Sequence, residues 1–144
     1  MALVKYSTSA VAETAMRTVV TARQFKIIID EPESLGGSDK GPNPVEFVLA
    51  ALSGCLNVVG HLVASEMSFA LKGLTIEAEG VLDPARFQGT SDKERAGYKE
   101  IKVKLIPDTD ADAKTLETWR AAVSNRCPVS DNLADATPVT IALA

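Results

Sequence analysis

A long apolar helix predicted over residues 43–67 constrains the fold of this chain more than any other feature. Asn43 is a favourable N-cap residue, Pro44 suits the first helical position, and Glu46 lies where its carboxylate can close a capping box. Apolar side chains then recur with a helical period, at Val45, Val48, Leu49, Leu52, Leu56, Val59, Leu62 and Val63. The pattern predicts a buried central helix of about six turns.

The other side of this helix is lined with small residues rather than charges: Ala50, Ser53, Asn57, Gly60 and Ala64. A helix with apolar side chains on one face and small side chains on the other has more surface to bury than one short chain can easily cover. We therefore expect a homodimer whose core includes this helix. Cys55 lies on the apolar stripe, so a thiol sits in the middle of the helix.

The composition is that of one globular domain. With 144 residues, of which 46% are hydrophobic and 24% charged, the chain is long enough for one core, and we predict a single domain over 1–144. Its net charge is −4, and no run of Lys and Arg occurs. These features argue against nucleic acid or an anionic membrane as the main partner.

The cysteine and histidine content bears on location and on metals. The first residues lack the apolar core of a secretory signal, and we expect no stretch apolar enough to span a bilayer, so the expected location is the cytoplasm. In that reducing compartment two cysteines are core residues or redox groups rather than a structural disulfide. The single histidine, His61, and the cysteines have no carboxylates at ligand spacing, so we predict no metal and no cofactor.

Strands and a second helix are predicted on either side of the central helix. The segments 74–82 and 98–106 alternate apolar and polar residues, which predicts an antiparallel pair with one exposed face. The other predicted elements are strands over 3–8, 14–21, 24–30 and 138–143 and a helix that begins within 108–112 and ends near 125.

The second cysteine lies in a sequence that favours an ionised thiol. Pro128 can begin a short helix and would place Cys127 at or near its N-cap. A thiol there feels the helix dipole, and Arg126 adds a neighbouring cation, so the pKa of Cys127 should fall. Burial on the apolar stripe should instead raise the pKa of Cys55 unless a cation approaches it. Local electrostatics thus favours Cys127 as the more reactive thiol.

The two cysteine segments together resemble a known family. The start Asn43-Pro44-Val45-Glu46 leading into Ala50-Ala51-Leu52-Ser53-Gly54-Cys55, followed later by Cys127-Pro128-Val129-Ser130, is similar to the OsmC/Ohr superfamily of osmotically inducible and organic hydroperoxide resistance proteins. The Asp30-Glu31-Pro32 and Gly36-Gly37 segments resemble its OsmC-like branch. The resemblance implies an α+β fold of antiparallel sheets with a long central helix, assembled as an intertwined homodimer.

The resemblance also implies a chemistry. In the family's peroxidases the helix cysteine attacks a hydroperoxide and the later cysteine resolves the product. Cys55 would therefore be the peroxidatic residue and Cys127 the resolving one, through a sulfenic acid and then a disulfide. An external dithiol would reduce that disulfide. We follow the resemblance over local electrostatics, because a folded dimer can bring a distant arginine to Cys55.

This chain departs from the family pattern at one acidic position. The family's peroxidases place a glutamate about ten residues before the helix cysteine, but here Val45 holds that position and Glu46 follows it. Glu46 lies half a turn around the helix from Cys55 and about 13 Å along its axis, which favours a role in the capping box alone. A catalytic role for Glu46 is the alternative. The family also uses an arginine from the N-terminal part, and three arginines are candidates here: Arg23, Arg17 and Arg126.

Two classes of function follow from these observations. The first is a thiol peroxidase that reduces organic hydroperoxides in a stress response. The second is a non-enzymatic OsmC-like protein that binds a small hydrophobic ligand in the dimer cleft and leaves its cysteines idle. Sulfur atoms of Cys55 and Cys127 within bonding reach would favour the first class, and thiols held far apart would favour the second.

Overall fold

The computed structural model describes residues 2–144, and the chain forms two compact units, one up to Val48 and one from Leu49 onwards. The fold is mixed α+β with antiparallel sheets, as predicted. Its elements in chain order are β1 (Ser9–Ala12), β2 (Thr18–Ala22), β3 (Phe25–Ile29), a 3-10 turn (Glu33–Leu35), α1 (Pro44–Glu66), β4 (Gly73–Val81), β5 (Glu100–Asp108), α2 (Ala113–Arg126) and α3 (Pro128–Ala134).

The first unit is built on the antiparallel sheet β1-β2-β3. Strands β1 and β2 pair from Ser9 opposite Thr21 to Ala12 opposite Thr18, and β2 and β3 pair from Thr18 opposite Ile29 to Ala22 opposite Phe25. A two-residue turn joins β2 to β3, and Arg23 in that turn has a positive φ of 56°. This left-handed conformation is uncommon outside glycine. A two-residue hairpin turn requires positive φ values, so the tight turn imposes this conformation on Arg23.

A buried carboxylate organises the loop between β3 and α1. Asp30 is fully buried and accepts hydrogen bonds from the Ser38 hydroxyl (2.8 Å) and from the backbone N–H groups of Glu31 (2.9 Å), Lys40 (3.1 Å) and Ser38 (3.5 Å). Burial alone would raise the pKa of Asp30, but the hydrogen bonds, led by that from Ser38, outweigh it and lower the pKa. The same loop requires glycine at Gly37, where a Cβ would lie 1.8 Å from the Glu31 carbonyl oxygen.

Helix α1 begins with the predicted capping box. The Asn43 side chain accepts a hydrogen bond from the Glu46 N–H at 2.9 Å, and the Glu46 carboxylate accepts one from the Asn43 N–H at 2.8 Å. Within the second unit the helix buries one face, made of Leu52, Leu56, Val59, Gly60, Val63 and Ala64. Leu62, which the periodicity assigned to the buried stripe, is 49% exposed in the single chain.

Helix α1 also meets the length and composition of a membrane span. Its most apolar 18-residue window has a mean hydropathy of 1.9, so our expectation that no stretch would be apolar enough was wrong. Alanine, valine and leucine dominate the helix and raise its hydropathy even where the residues are small. The core helix of a soluble protein satisfies the same criteria, and the buried face of α1 contributes to the core of the second unit.

The core of the second unit forms where α2 packs on α1. Asp112 caps α2 by accepting a hydrogen bond from the Thr115 N–H at 2.8 Å. Trp119 is 2% exposed, and its indole N–H donates to the Gly60 carbonyl at 2.8 Å. The predicted antiparallel pair is also present, with β4 and β5 in register from Gly73 opposite Asp108 to Val81 opposite Glu100.

The two terminal segments differ from the prediction. Residues 3–8 and 138–143 were expected to be strands, but the described chain has no strand before Ser9 or after α3. Ile141 is 93% exposed, and the neighbouring apolar residues Val139 and Leu143 are exposed as well. An alternating pattern forms a strand only when another strand supplies its hydrogen bonds, and these segments pair with none in the single chain.

Candidate active site

The two thiols lie side by side in the second unit. Cys55 on α1 and Cys127 between α2 and α3 are both free cysteines, and their sulfur atoms are 3.0 Å apart in a hydrogen-bonded contact. A disulfide has a sulfur–sulfur distance of about 2.0 Å, so closing this pair requires a movement of about 1 Å. The fold therefore brings together two cysteines that are 72 residues apart in sequence.

Cys127 ends one helix and caps the next. It follows the last residue of α2 and is the N-cap of α3, with Pro128 at the first helical position, as the sequence predicted. Its sulfur accepts a hydrogen bond from the Ser130 N–H at 3.4 Å, and the side chain is 1% exposed. This position fixes the sulfur in the core beside α1.

The surroundings of Cys55 disfavour its thiolate. Burial raises the pKa of Cys55, the hydrogen bond with the Cys127 sulfur raises it further, and the backbone N–H of Val129 acts in the opposite direction. The direction agrees with the expectation from the apolar stripe. Cys55 is only half-buried, whereas Cys127 is enclosed, so Cys55 is the more accessible of the two sulfurs.

Arg126, the cation expected to act on Cys127, is engaged by a carboxylate of α1. Its guanidinium binds both carboxylate oxygens of Glu66, through Nη2 to Oε1 at 3.1 Å and through a shorter Nη1–Oε2 hydrogen bond. The hydrogen bond from Arg126 lowers the pKa of Glu66. Glu66 was not among the predicted site residues. Its position eleven residues after Cys55, or about three helical turns, could have placed both on one face of α1.

The other proposed catalytic residues belong to the first unit and are engaged with neighbours there. Glu46 closes the capping box of α1. The Arg23 guanidinium stacks 5.0 Å from the centre of the Phe25 ring. Arg17 donates to the Glu13 carboxylate at 2.9 Å and to the Ser38 hydroxyl at 3.2 Å.

His61 is engaged within α1 and does not lie in a cluster of potential metal ligands among the described residues. Nδ1 of His61 lies 2.9 Å from the Asn57 carbonyl oxygen, one turn earlier on the exposed side of α1. Among residues 2–144, no group of three or more His, Cys, Asp or Glu side chains is arranged to hold a metal ion.

Comparison with protein families identifies the chain. The family model described as OsmC-like protein matches residues 37–142, which include α1, both cysteines and all of the second unit's strands and helices. The chain belongs to the OsmC family. No match was found among curated proteins.

Solved structures of OsmC proteins share the fold at low sequence identity. An OsmC-like protein from Mycoplasma pneumoniae is 21% identical, with a TM-score of 0.79 over 92% of this chain and 89% of that one. An organic hydroperoxide resistance protein OsmC from Legionella pneumophila is 20% identical, with a TM-score of 0.66 over 92% and 91%. An organic hydroperoxide resistance protein from Elizabethkingia anophelis is 17% identical, with a TM-score of 0.67 over 94% and 91%.

Proposed function

We propose that this OsmC family protein reduces organic hydroperoxides with its two thiols, through a sulfenic acid on Cys55 and a Cys55–Cys127 disulfide. The sulfur–sulfur distance of 3.0 Å carries the proposal, because a sulfenic acid on one cysteine would form within reach of the other thiol. Similarity to proteins named for organic hydroperoxide resistance supports the same class of activity. Thiols this close do not favour a purely ligand-binding protein.

The proposed reaction has three reactants: the two protein thiols, the hydroperoxide and an external dithiol. The Cys55 thiolate attacks the terminal peroxide oxygen, the O–O bond breaks, and the alkoxide leaves as an alcohol after taking a proton. The Cys127 thiolate then attacks the Cys55 sulfur of the sulfenic acid, and hydroxide leaves as water. The dithiol restores both thiols by two exchange steps and is itself oxidised to a disulfide.

The assignment of Cys55 as the attacking residue rests on access. A hydroperoxide must reach the nucleophilic sulfur, and Cys55 is half-buried whereas Cys127 is 1% exposed. Cys55 also packs against the hydrophobic core of the second unit. This apolar contact suits an organic hydroperoxide better than hydrogen peroxide, since an alkyl group gains from leaving water.

The proposal requires a cation that stabilises the Cys55 thiolate, because burial raises the pKa of this thiol. Glu66 already binds Arg126, and the family's peroxidases use an arginine from the N-terminal part, so we propose Arg23 or Arg17 for this role, in the same chain or from the second chain of a homodimer. Arg17 would have to exchange its ion pair with Glu13 for the thiolate. We propose Glu46 as the acid that would orient this arginine, although its carboxylate caps α1. With Val45 at the usual acidic position, we expect slower turnover than in relatives with the complete set.

The test is the stoichiometry of thiol loss on reaction with cumene hydroperoxide. Reduced protein should consume one equivalent, lose both thiols to an alkylating reagent, and yield a peptide in which Cys55 is disulfide-linked to Cys127. Stopped-flow rates measured beside a relative with the complete motif should be lower for this protein. Retention of both thiols after prolonged exposure would refute the peroxidase and leave the ligand-binding class.

A further inference from the structure

The junction between α2 and α3 is attached to α1 at two points. At the first, Cys127 contacts the sulfur of Cys55 at 3.0 Å. At the second, Arg126, the residue immediately before Cys127, forms its two hydrogen bonds with Glu66. The adjacent residues Arg126 and Cys127 therefore supply the cation of the ion pair and the second thiol. The ion pair joins residues that are 60 positions apart in sequence.

Both attachment points lie on the same face of α1. Cys55 and Glu66 are eleven residues apart, which is close to three full turns and about 16 Å along the axis. Glu66 is the last residue of α1, and Arg126 is the last residue of α2. The ion pair therefore joins the carboxyl ends of the two helices, and the position of Cys127 depends directly on where α2 ends.

We propose that the Glu66–Arg126 ion pair holds the Cys127 thiol within reach of Cys55 and so favours formation of the disulfide. This inference deepens the proposed function and rests on it for its biological meaning. The pair does not touch the reacting atoms. It acts by limiting the movement of the α2–α3 junction, which raises the effective concentration of one thiol at the other.

The expected size of the effect follows from the geometry of the pair. The two side chains are 40% and 49% exposed, and exposed ion pairs are usually weak. An arginine whose guanidinium binds both oxygens of a carboxylate forms a stronger pair than most exposed ones, because the two hydrogen bonds fix the orientation of both side chains. We therefore expect loss of the pair to lower the effective concentration of the thiols by about two- to fivefold, the range of a good exposed pair.

The test measures the thiol–disulfide equilibrium with reduced and oxidised glutathione, without any hydroperoxide. In this exchange one protein thiolate attacks glutathione disulfide and releases a glutathione thiolate, and the second protein thiolate then displaces the other glutathione. The variants are Glu66→Gln, Arg126→Gln and the double variant. Glu117→Gln is the matched control, because Arg120 binds both carboxylate oxygens of Glu117 within α2 and both side chains are largely exposed.

We expect Glu66→Gln and Arg126→Gln each to shift the equilibrium towards free thiols by about two- to fivefold, and the double variant to shift it no further. Glu117→Gln should match the wild-type equilibrium even if it lowers the urea midpoint by a similar amount. Added salt at 1 M should shift the wild type towards Glu66→Gln, because the Debye length falls to about 3 Å.

A wild-type equilibrium in both Glu66→Gln and Arg126→Gln would overturn the inference, as would an equal shift in Glu117→Gln. Both outcomes are independent of peroxidase activity. If the protein forms the disulfide with glutathione but does not consume hydroperoxide, the proposed function fails while the positioning role of the pair stands.

Discussion

The contact between Gly60 of α1 and Trp119 of α2 provides a quantitative test of how tightly the two cysteine-bearing parts of the second unit pack. Trp119 is buried, and its N–H is bound to the Gly60 carbonyl. A Cβ added at Gly60 would lie 3.0 Å from Cδ2 of Leu74 and 3.2 Å from Cζ2 of Trp119. Both distances are shorter than ordinary van der Waals contacts.

The substitution Gly60→Ala sets helix propensity against packing. Alanine in place of glycine within a helix stabilises by about 1 kcal/mol. An extra methyl group in a well-packed core costs about 1–3 kcal/mol. Leu74 can move its methyl group, but Trp119 is fixed by its hydrogen bond and by the edge-on ring of Phe69 at 6.3 Å. We therefore expect a net loss of about 1 kcal/mol in the free energy of unfolding.

Urea unfolding followed by circular dichroism, at one fixed protein concentration, measures this change. The variant Trp119→Phe should lose about 2 kcal/mol through the missing hydrogen bond and the space left by the smaller ring. In that background Gly60→Ala should cost less, because phenylalanine has no atom at the position of Cζ2. A Gly60→Ala protein as stable as the wild type, with the same effect in both backgrounds, would show that this contact is loose.

Three further outcomes are expected. The pKa of Asp30 is lowered in the folded protein, so the ionised carboxylate stabilises the fold above about pH 4, and this stabilisation is lost as the pH falls through the lowered pKa. Asp30→Asn should therefore unfold at a lower urea concentration than the wild type at pH 7, and the difference between the two midpoints should shrink in acid. Because burial, which Cys127→Ser leaves in place, raises the pKa of Cys55, alkylation of Cys55 in this variant should accelerate as the pH rises above neutral, and a rate independent of pH would refute this. If the exposed side of α1 forms the predicted homodimer, Leu62→Glu should sediment as a monomer, whereas a wild-type monomer would refute the dimer.

The features that sequence could predict depend on short-range chemistry. The capping box of α1 needs only Asn43 and Glu46 three residues apart, and the N-cap role of Cys127 follows from the proline after it. The antiparallel pair β4–β5 follows from two alternating segments of similar length. In each case the residues that decide the structure are adjacent or share a period, so local rules suffice.

The features that sequence missed depend on contacts between distant segments. The ion pair between Glu66 and Arg126 depends on where α2 ends relative to α1, and no local rule gives that position. The Arg126 guanidinium is thus paired with the Glu66 carboxylate, which competes with the Cys127 thiol for this cation. The strand predicted over 138–143 failed for a related reason, since a strand needs a partner that the alternating pattern cannot identify.

The most direct test of the account is where a sulfenic acid forms when one thiol is removed. Cys127→Ser and Cys55→Ser are each treated with one equivalent of cumene hydroperoxide and a sulfenic-acid trap, and the labelled peptide is identified by mass spectrometry. We predict that Cys127→Ser consumes about one equivalent and carries the label on Cys55, whereas Cys55→Ser consumes none. Label on Cys127 in the Cys55→Ser protein, with Cys127→Ser unreactive, would contradict the assignment and make Cys127 the peroxidatic residue.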